Sequence, residues 1–203
     1  MDEQAARRRL EADFNVSRET MDCLDQFAGF LKDENQRQNL VSAASLDELW
    51  SRHFLDSVQL IRFAPTSETS WLDLGSGAGF PGLIVALMHN GHITLVEERR
   101  KRADFLLRAA ALLGVVDKVT ITHAGIERVE SRPFDVISAR AFAPLDRLFA
   151  LSHSFSTVKT RFILPKGRSA RSELEAAMAS WQGDFRLEPS LTDSDAHIIV
   201  GEG

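Results

Sequence analysis

Between Trp71 and Gly82 the chain reads WLDLGSGAGFPG, with glycine at 75, 77, 79 and 82. Glycine lacks a Cβ, so a turn built from it can take positive φ and let a ligand lie against the backbone. The apolar run Trp71-Leu72-Asp73-Leu74 predicts a short buried strand before the turn. Leu83-Ile84-Val85-Ala86-Leu87-Met88 predicts a helix after it, with Pro81 suited to its first turn. Strand, glycine turn and helix form a cofactor-binding unit, because the first turn of a helix leaves N–H groups unpaired. Asp73 stands two residues before Gly75. A carboxylate there suits a ligand with positive charge and sits poorly beside a pyrophosphate.

Further candidates recur at the ends of later apolar runs. Glu97 closes the run His92–Val96, twenty residues after Gly77. A carboxylate at that place can accept both hydroxyls of an adenosine ribose. The run Lys118–Thr122 leads to Ile126 and Glu127; were the ligand to carry an adenine, Ile126 would cover its ring and either the backbone or Glu127 would read its amino edge. The run Phe134–Ser138 leads to Arg140, at the crevice where ligands sit in doubly wound sheets. The run Arg161–Leu164 ends at Lys166. From Lys159 to Arg171 there are five basic residues and no acidic one, a candidate phosphate-binding edge or a solubilising loop. Arg99-Arg100-Lys101-Arg102 opens a helix at the end that disfavours cations, which points to an external anion or a solvated face. His53 and Asp56, three apart, are neighbours on one helix face, as a site pair or as a local structural pair.

The elements that must position these residues follow from hydrophobic spacing. Residues 3–64 read as helices. Ser17 is an N-cap, Met21, Leu24, Ala28 and Leu31 share a face, and a second helix spans Leu46 to Phe63 with Leu49, Trp50, Phe54, Val58 and Ile61 inward. Pro65–Ser70 is a turn-rich boundary. Beyond it strands alternate with helices, including one over Ser172–Trp181. The expected fold is α/β: a doubly wound, mostly parallel, Rossmann-like sheet at residues 67–203 with an N-terminal helical extension at 1–66. At 203 residues, 44% hydrophobic and 26% charged, the chain has ample material for a core. Its net charge of −5 supplies no global pull onto nucleic acid, so RNA contact would need a local basic patch. The lone Cys23, packed in a helix, excludes a disulfide framework and a Cys-rich zinc site, and no metal set is expected. The absence of a long apolar run points to a soluble cytoplasmic protein without membrane contact, and nothing suggests an obligate oligomer.

Asp73-x-Gly75-x-Gly77-x-Gly79 resembles motif I of class I S-adenosylmethionine (SAM) methyltransferases. Gly77-x-Gly79-x-x-Gly82 also fits the dinucleotide fingerprint, which keeps a nicotinamide-dependent oxidoreductase as a rival. Asn39-Leu40-Val41-Ser42, Arg52-His53-Phe54-Leu55-Asp56-Ser57, Gly79-Phe80-Pro81-Gly82, Lys101-Arg102, Ser138-Ala139-Arg140-Ala141 and Lys166-Gly167 together resemble the small-subunit ribosomal RNA 7-methylguanosine methyltransferase family. The resemblance implies SAM as cofactor, a guanine in 16S rRNA of the small ribosomal subunit as target, and SAM contacts at Gly75, Phe80, Ile126, Glu127 and Arg140. Many members have Ser-Arg where this chain has Ser138-Ala139-Arg140, so Arg140 is matched through Ala141-Phe142-Ala143. Guanine N7 has a free lone pair, so catalysis needs alignment more than a general base. No Asn/Asp-Pro-Pro-aromatic motif for adenine amino-group methylation is present. Arg140, Lys166 and Arg52 are expected to hold phosphate or guanine O6, with His53 and Asp56 shaping the pocket. Another RNA or a small molecule remains an alternative target.

Overall fold

The computed structural model describes residues 1–203. One sheet of seven strands runs in the order β3-β2-β1-β4-β5-β7-β6. These are β1 (Trp71–Leu74), β2 (Ile93–Glu97), β3 (Val119–His123), β4 (Val136–Ala139), β5 (Arg161–Lys166), β6 (Asp184–Pro189) and β7 (His197–Glu202). The first five pair in parallel, and β7 runs antiparallel between β5 and β6. The expected mostly parallel, doubly wound sheet is therefore the one observed. Every residue of β1 and β4 is buried, as parallel strands covered on both faces require. Leu74 pairs with Val96 on one side and Ala139 on the other. That register brings the turns after β1, β2 and β4 out at the same edge.

Side chains alternate across the sheet and divide the core. Trp71 faces a cluster that includes Leu83 and Phe105 and continues into Leu31 and Phe54 of the N-terminal helices. Leu72 and Leu74 face a second cluster with Ile137, Phe149 and Phe162. The first layer uses α5 (Gly82–Met88) and α6 (Arg100–Leu112); the second uses α7 (Leu145–Ser152) and α8 (Ala170–Ala177). Alpha-8 starts before the expected Ser172 and stops short of Trp181, whose ring stacks on Phe149 at 5.0 Å instead of continuing the helix. No helix is long and apolar enough to cross a membrane.

Before the sheet come α1 (Glu3–Phe14) and α2 (Arg18–Gln38). Ser17 caps α2 by accepting from Thr20 N at 3.2 Å, and Met21, Leu24, Ala28 and Leu31 are buried along one face. The single helix expected from Leu46 to Phe63 is broken. The chain forms α3 (Ala43–Leu46), a π-helical turn at Trp50–Leu55, α4 (Asp56–Val58) and a 3₁₀ turn at Gln59–Phe63. The wide turn accommodates an extra residue. His53, Phe54 and Leu55 are all buried within it.

Asp73 lies on the Trp71 face at the middle of this assembly and has no exposure. Its Oδ1 accepts from Ser138 Oγ at 2.6 Å, Ser138 Oγ accepts from Trp71 Nε1 at 2.8 Å, and its Oδ2 accepts from Gly82 N at 3.3 Å. One carboxylate thus ties β1 to β4 and to the start of α5. A Cβ on Gly82 would lie 2.1 Å from Leu95 Cδ2 and 2.8 Å from Asp73 Oδ2. Gly82→Ala should therefore lower the unfolding free energy by about 1–3 kcal/mol in urea titration. Burial raises the Asp73 carboxyl from its ordinary 3.8 to about 6, against the pull of Ser138, Ser76 and Gly82. The fold favours the neutral acid, so its contribution is complete below pH 3.8 and is lost as pH rises through about 6. Relative to Asp73→Asn, the wild type should lose up to about 3 kcal/mol of stability between pH 4 and 7, measured by denaturation at each pH.

Candidate active site

The turn after β1 is held by backbone and by carboxylates. Gly75 and Ser76 N–H both donate to Val96 O, at 2.9 and 3.1 Å, and Gly79 N donates to Ser76 O at 2.7 Å. Gly75, Gly77 and Gly79 take φ of 68°, 55° and 89°, a region that side-chain-bearing residues rarely adopt. A Cβ on Gly75 would also strike the Phe142 ring at 2.5 Å. Glu97 is buried at the end of β2. Its Oε2 accepts from Gly77 N at 2.9 Å and its Oε1 from Arg99 N at 2.8 Å. A carboxylate has about four acceptor sites, so two backbone bonds leave capacity for ribose hydroxyls. Ile126 is buried in the 3₁₀ turn after β3 (Ile126–Arg128), and the exposed Glu127 folds back toward Gly125. Asp73 supports this loop from beneath and does not open to solvent.

A second constellation centres on Arg140, at the end of β4. Its Nη2 donates to His53 Nδ1 at 2.7 Å, and its Nη1 lies 3.0 Å from Arg52 O and 3.4 Å from Asp56 Oδ2. His53 and Asp56 do not bond each other; the guanidinium stands between them. The His53 ring lies flat on Phe80 with centroids 4.6 Å apart, and the Arg140 guanidinium sits 5.2 Å from the same Phe80 ring. Phe80 itself is buried, packed on Phe27 and Phe54. The ending of the glycine loop and the π-helical turn therefore meet at one aromatic ring. Ala141 follows Arg140 with φ of 51°, an unfavourable value for a residue with a Cβ.

The electrostatics are those of a partly dry pocket. Burial lowers His53 to about 3, with Arg140 and Arg52 adding to the shift, so the imidazole is neutral at physiological pH. A guanidinium only donates, so Nδ1 is the acceptor and the proton is on Nε2, which is enclosed and has no partner. Burial raises Asp56 against the pull of Arg140, Thr192 and Gln59, and burial lowers Arg140 against Asp56 and Asp73. The carboxylate is fixed by residues that no local motif marks. Gln59 Nε2 donates to its Oδ1 at 2.9 Å and Thr192 Oγ1 at 3.1 Å, while Leu191 N donates to Gln59 Oε1 at 2.8 Å. The loop between β6 and β7 is thereby tied to the helical extension.

These groups line a cleft of about 1080 Å³ that contains Arg52, His53, Asp56, Arg140, Lys166 and His197. Lys166 Nζ is held by Glu173 Oε2 at 2.7 Å. Burial pushes Glu173 up, but Lys166 and Ser169 bring it below the usual range. Five residues singled out from the sequence, Arg52, His53, Asp56, Arg140 and Lys166, thus share one cavity, while the loop glycines, Glu97 and Ile126 lie outside its lining. Phe80 joins the two regions. Gln59, Thr192 and the ring of Phe142 carry no sequence signal: Thr192 and Phe142 meet residues far away in the chain, and Gln59, although three residues from Asp56, is itself held by Leu191.

The family described as rRNA small subunit methyltransferase G (GidB) matches residues 20–196. The chain is 53% identical over 202 residues to a ribosomal RNA small subunit methyltransferase G of Rhizorhabdus wittichii, covering 98% of this chain and 92% of that one. It is 47% identical to a protein of the same name from Zymomonas mobilis, covering 94% and 89%. Among solved structures, an RNA methyltransferase from Salinibacter ruber in complex with S-adenosyl-L-homocysteine superposes with a TM-score of 0.56 at 16% identity, covering 72% of this chain and 88% of that one. A ribosomal protein L11 methylase from Lactobacillus delbrueckii superposes with a TM-score of 0.61 at 16% identity, covering 73% and 76%. Those two similarities concern the fold alone. The extent of the family match and the identity to its named members establish that this chain belongs to the ribosomal RNA small subunit methyltransferase G family.

Proposed function

We propose that this protein transfers the methyl group of SAM to N7 of a guanine in the 16S rRNA of the small ribosomal subunit. It is proposed to act in the cytoplasm as a monomer, with residues 67–203 as the SAM-binding body and residues 1–66 as a helical extension beside the substrate. The observation that carries this reading is the placement of Arg140. It touches the ring that ends the glycine loop and also lines the polar cleft with Lys166 and Arg52.

SAM, when bound, supplies a methyl group on a positively charged sulfur. The side-chain-free turn at Gly75–Gly79 offers backbone to it, Glu97 has acceptor capacity for its ribose, and Ile126 and Glu127 stand at the adenine side. Asp73 stiffens the turn from below. In the cleft, Arg140, Lys166 and Arg52 present donors that match guanine O6 and phosphate. His53, neutral with its proton on Nε2, is unsuited to act as a base, and N7 does not require one. Asp56 offsets the charge of Arg140, so a base that becomes cationic on methylation meets little net positive charge. Catalysis in this arrangement is alignment in a partly dehydrated cleft.

Labelled methyl transfer to isolated small subunits, to free 16S rRNA and to metabolite extracts tests the substrate class, and mass spectrometry of rRNA fragments locates the methyl. Incorporation confined to metabolites would overturn the RNA reading. Arg140→Ala should reduce kcat/KM about a hundredfold or more, because it strips a buried constellation of its central donor. Lys166→Ala should weaken RNA binding and reduce its salt-dependence slope by about one.

A further inference from the structure

Alpha-1 lies outside the matched residues 20–196, yet it packs against the π-helical turn that lines the cleft. Asp2 caps it by accepting from Ala5 N at 2.6 Å, and Ala6 and Leu10 have no exposure. The half-buried Glu3 turns its carboxylate onto the opening of the π-helical turn: Oε2 accepts from Trp50 N and Oε1 from Ser51 N, both at 2.9 Å. Leu49, which precedes that turn, supplies no side-chain cap. The first N–H groups of a helical turn have no partner within it, and here a carboxylate from a distant helix takes two of them. Arg7 stacks its guanidinium over Trp50 at 3.8 Å and forks onto Asp25 of α2 at 2.6 and 2.7 Å. Arg9 Nη1 reaches Leu191 O, across the cleft's other wall, at 3.4 Å, and Met1 lines the cavity itself.

Immediately after Trp50 and Ser51 come Arg52 and His53, and the turn ends where Asp56 begins. The two bonds from Glu3 therefore fix the register from which all three project. We infer that Glu3 is a positioning residue for the RNA-binding half of the site, acting through the π-helical turn and not by touching substrate or cofactor. The inference rests on the RNA methyltransferase reading for the identity of the substrate. The glycine loop, on the other side of Phe80, is held by Asp73 and Glu97 and does not depend on Glu3.

Glutamine keeps one acceptor oxygen at position 3 and alanine keeps none, so the effect should be graded. Glu3→Ala should raise KM for small subunits about tenfold, as a slight misplacement of binding groups does, with a smaller change in kcat; Glu3→Gln should fall between it and wild type. Affinity for S-adenosylhomocysteine should stay at the wild-type value in both. Amide hydrogen exchange should quicken in residues 48–56 and not in residues 71–88. Glu11→Gln, on the exposed side of α1, should match wild type throughout. Loss of KM, kcat and S-adenosylhomocysteine affinity together, in proportion to loss of folded protein, would show a merely structural helix and overturn the inference. So would unchanged KM, or unchanged exchange in residues 48–56 of Glu3→Gln, the variant that retains most of the fold. A wild type that methylates no small subunit would instead overturn the functional reading, and the exchange measurement would still decide whether Glu3 holds the turn.

Discussion

The structure depends on holding a stretch of backbone that has almost no side chains of its own. Gly75, Gly77 and Gly79 cannot pack, and their positive φ values are available to many competing loop shapes. Two buried carboxylates select one. Asp73 takes Gly82 N at the far end of the loop and Glu97 takes Gly77 N in its middle. An ionised acid removed from water is unfavourable unless hydrogen bonds replace the solvent. Asp73 has Ser138 and Gly82 as replacements, and burial still raises it to about 6. The rigidity of the turn and the strain on this acid have the same origin.

Phe80 extends that rigidity to the polar cleft. Its ring closes the glycine loop and is the platform for both His53 and Arg140. Arg140 is anchored in turn by Asp56, which Gln59 and Thr192 hold. Three regions remote in sequence, the helical extension, the end of β4 and the β6–β7 loop, therefore converge on one guanidinium. Moving any of them shifts the donor that faces the cleft, while the loop glycines remain fixed by their own carboxylates.

Much of this was legible from residue order. The glycine loop and the strand before it are contiguous and follow period and turn chemistry, and Arg140 and Lys166 were found because they end apolar runs. The pairing of His53 with Asp56 was legible only as spacing. Their true relation runs through Arg140, some 87 residues away from His53. The π-helical turn at Trp50–Leu55 escaped because the apolar positions Trp50, Phe54 and Val58 keep ordinary helical spacing. Glu3 and Thr192 escaped because a cap or a hydrogen bond delivered from another element leaves no pattern near its target. Long-range polar bonds are settled by packing, and packing is invisible to a window of neighbouring residues.

The antiparallel strand β7 has a consequence for how the chain assembles. Beta-6 pairs only with β7, and the outer edge of β5 pairs only with β7, although β6 is made first. As the polypeptide emerges from the ribosome, β6 has no partner and β5 presents an open row of backbone donors and acceptors. The five parallel strands can associate early, but the wall of the cleft formed by residues 190–196 takes shape only when the last strand slides into its slot. Until then the nascent protein carries a half-built sheet whose outer rim of backbone donors and acceptors is open.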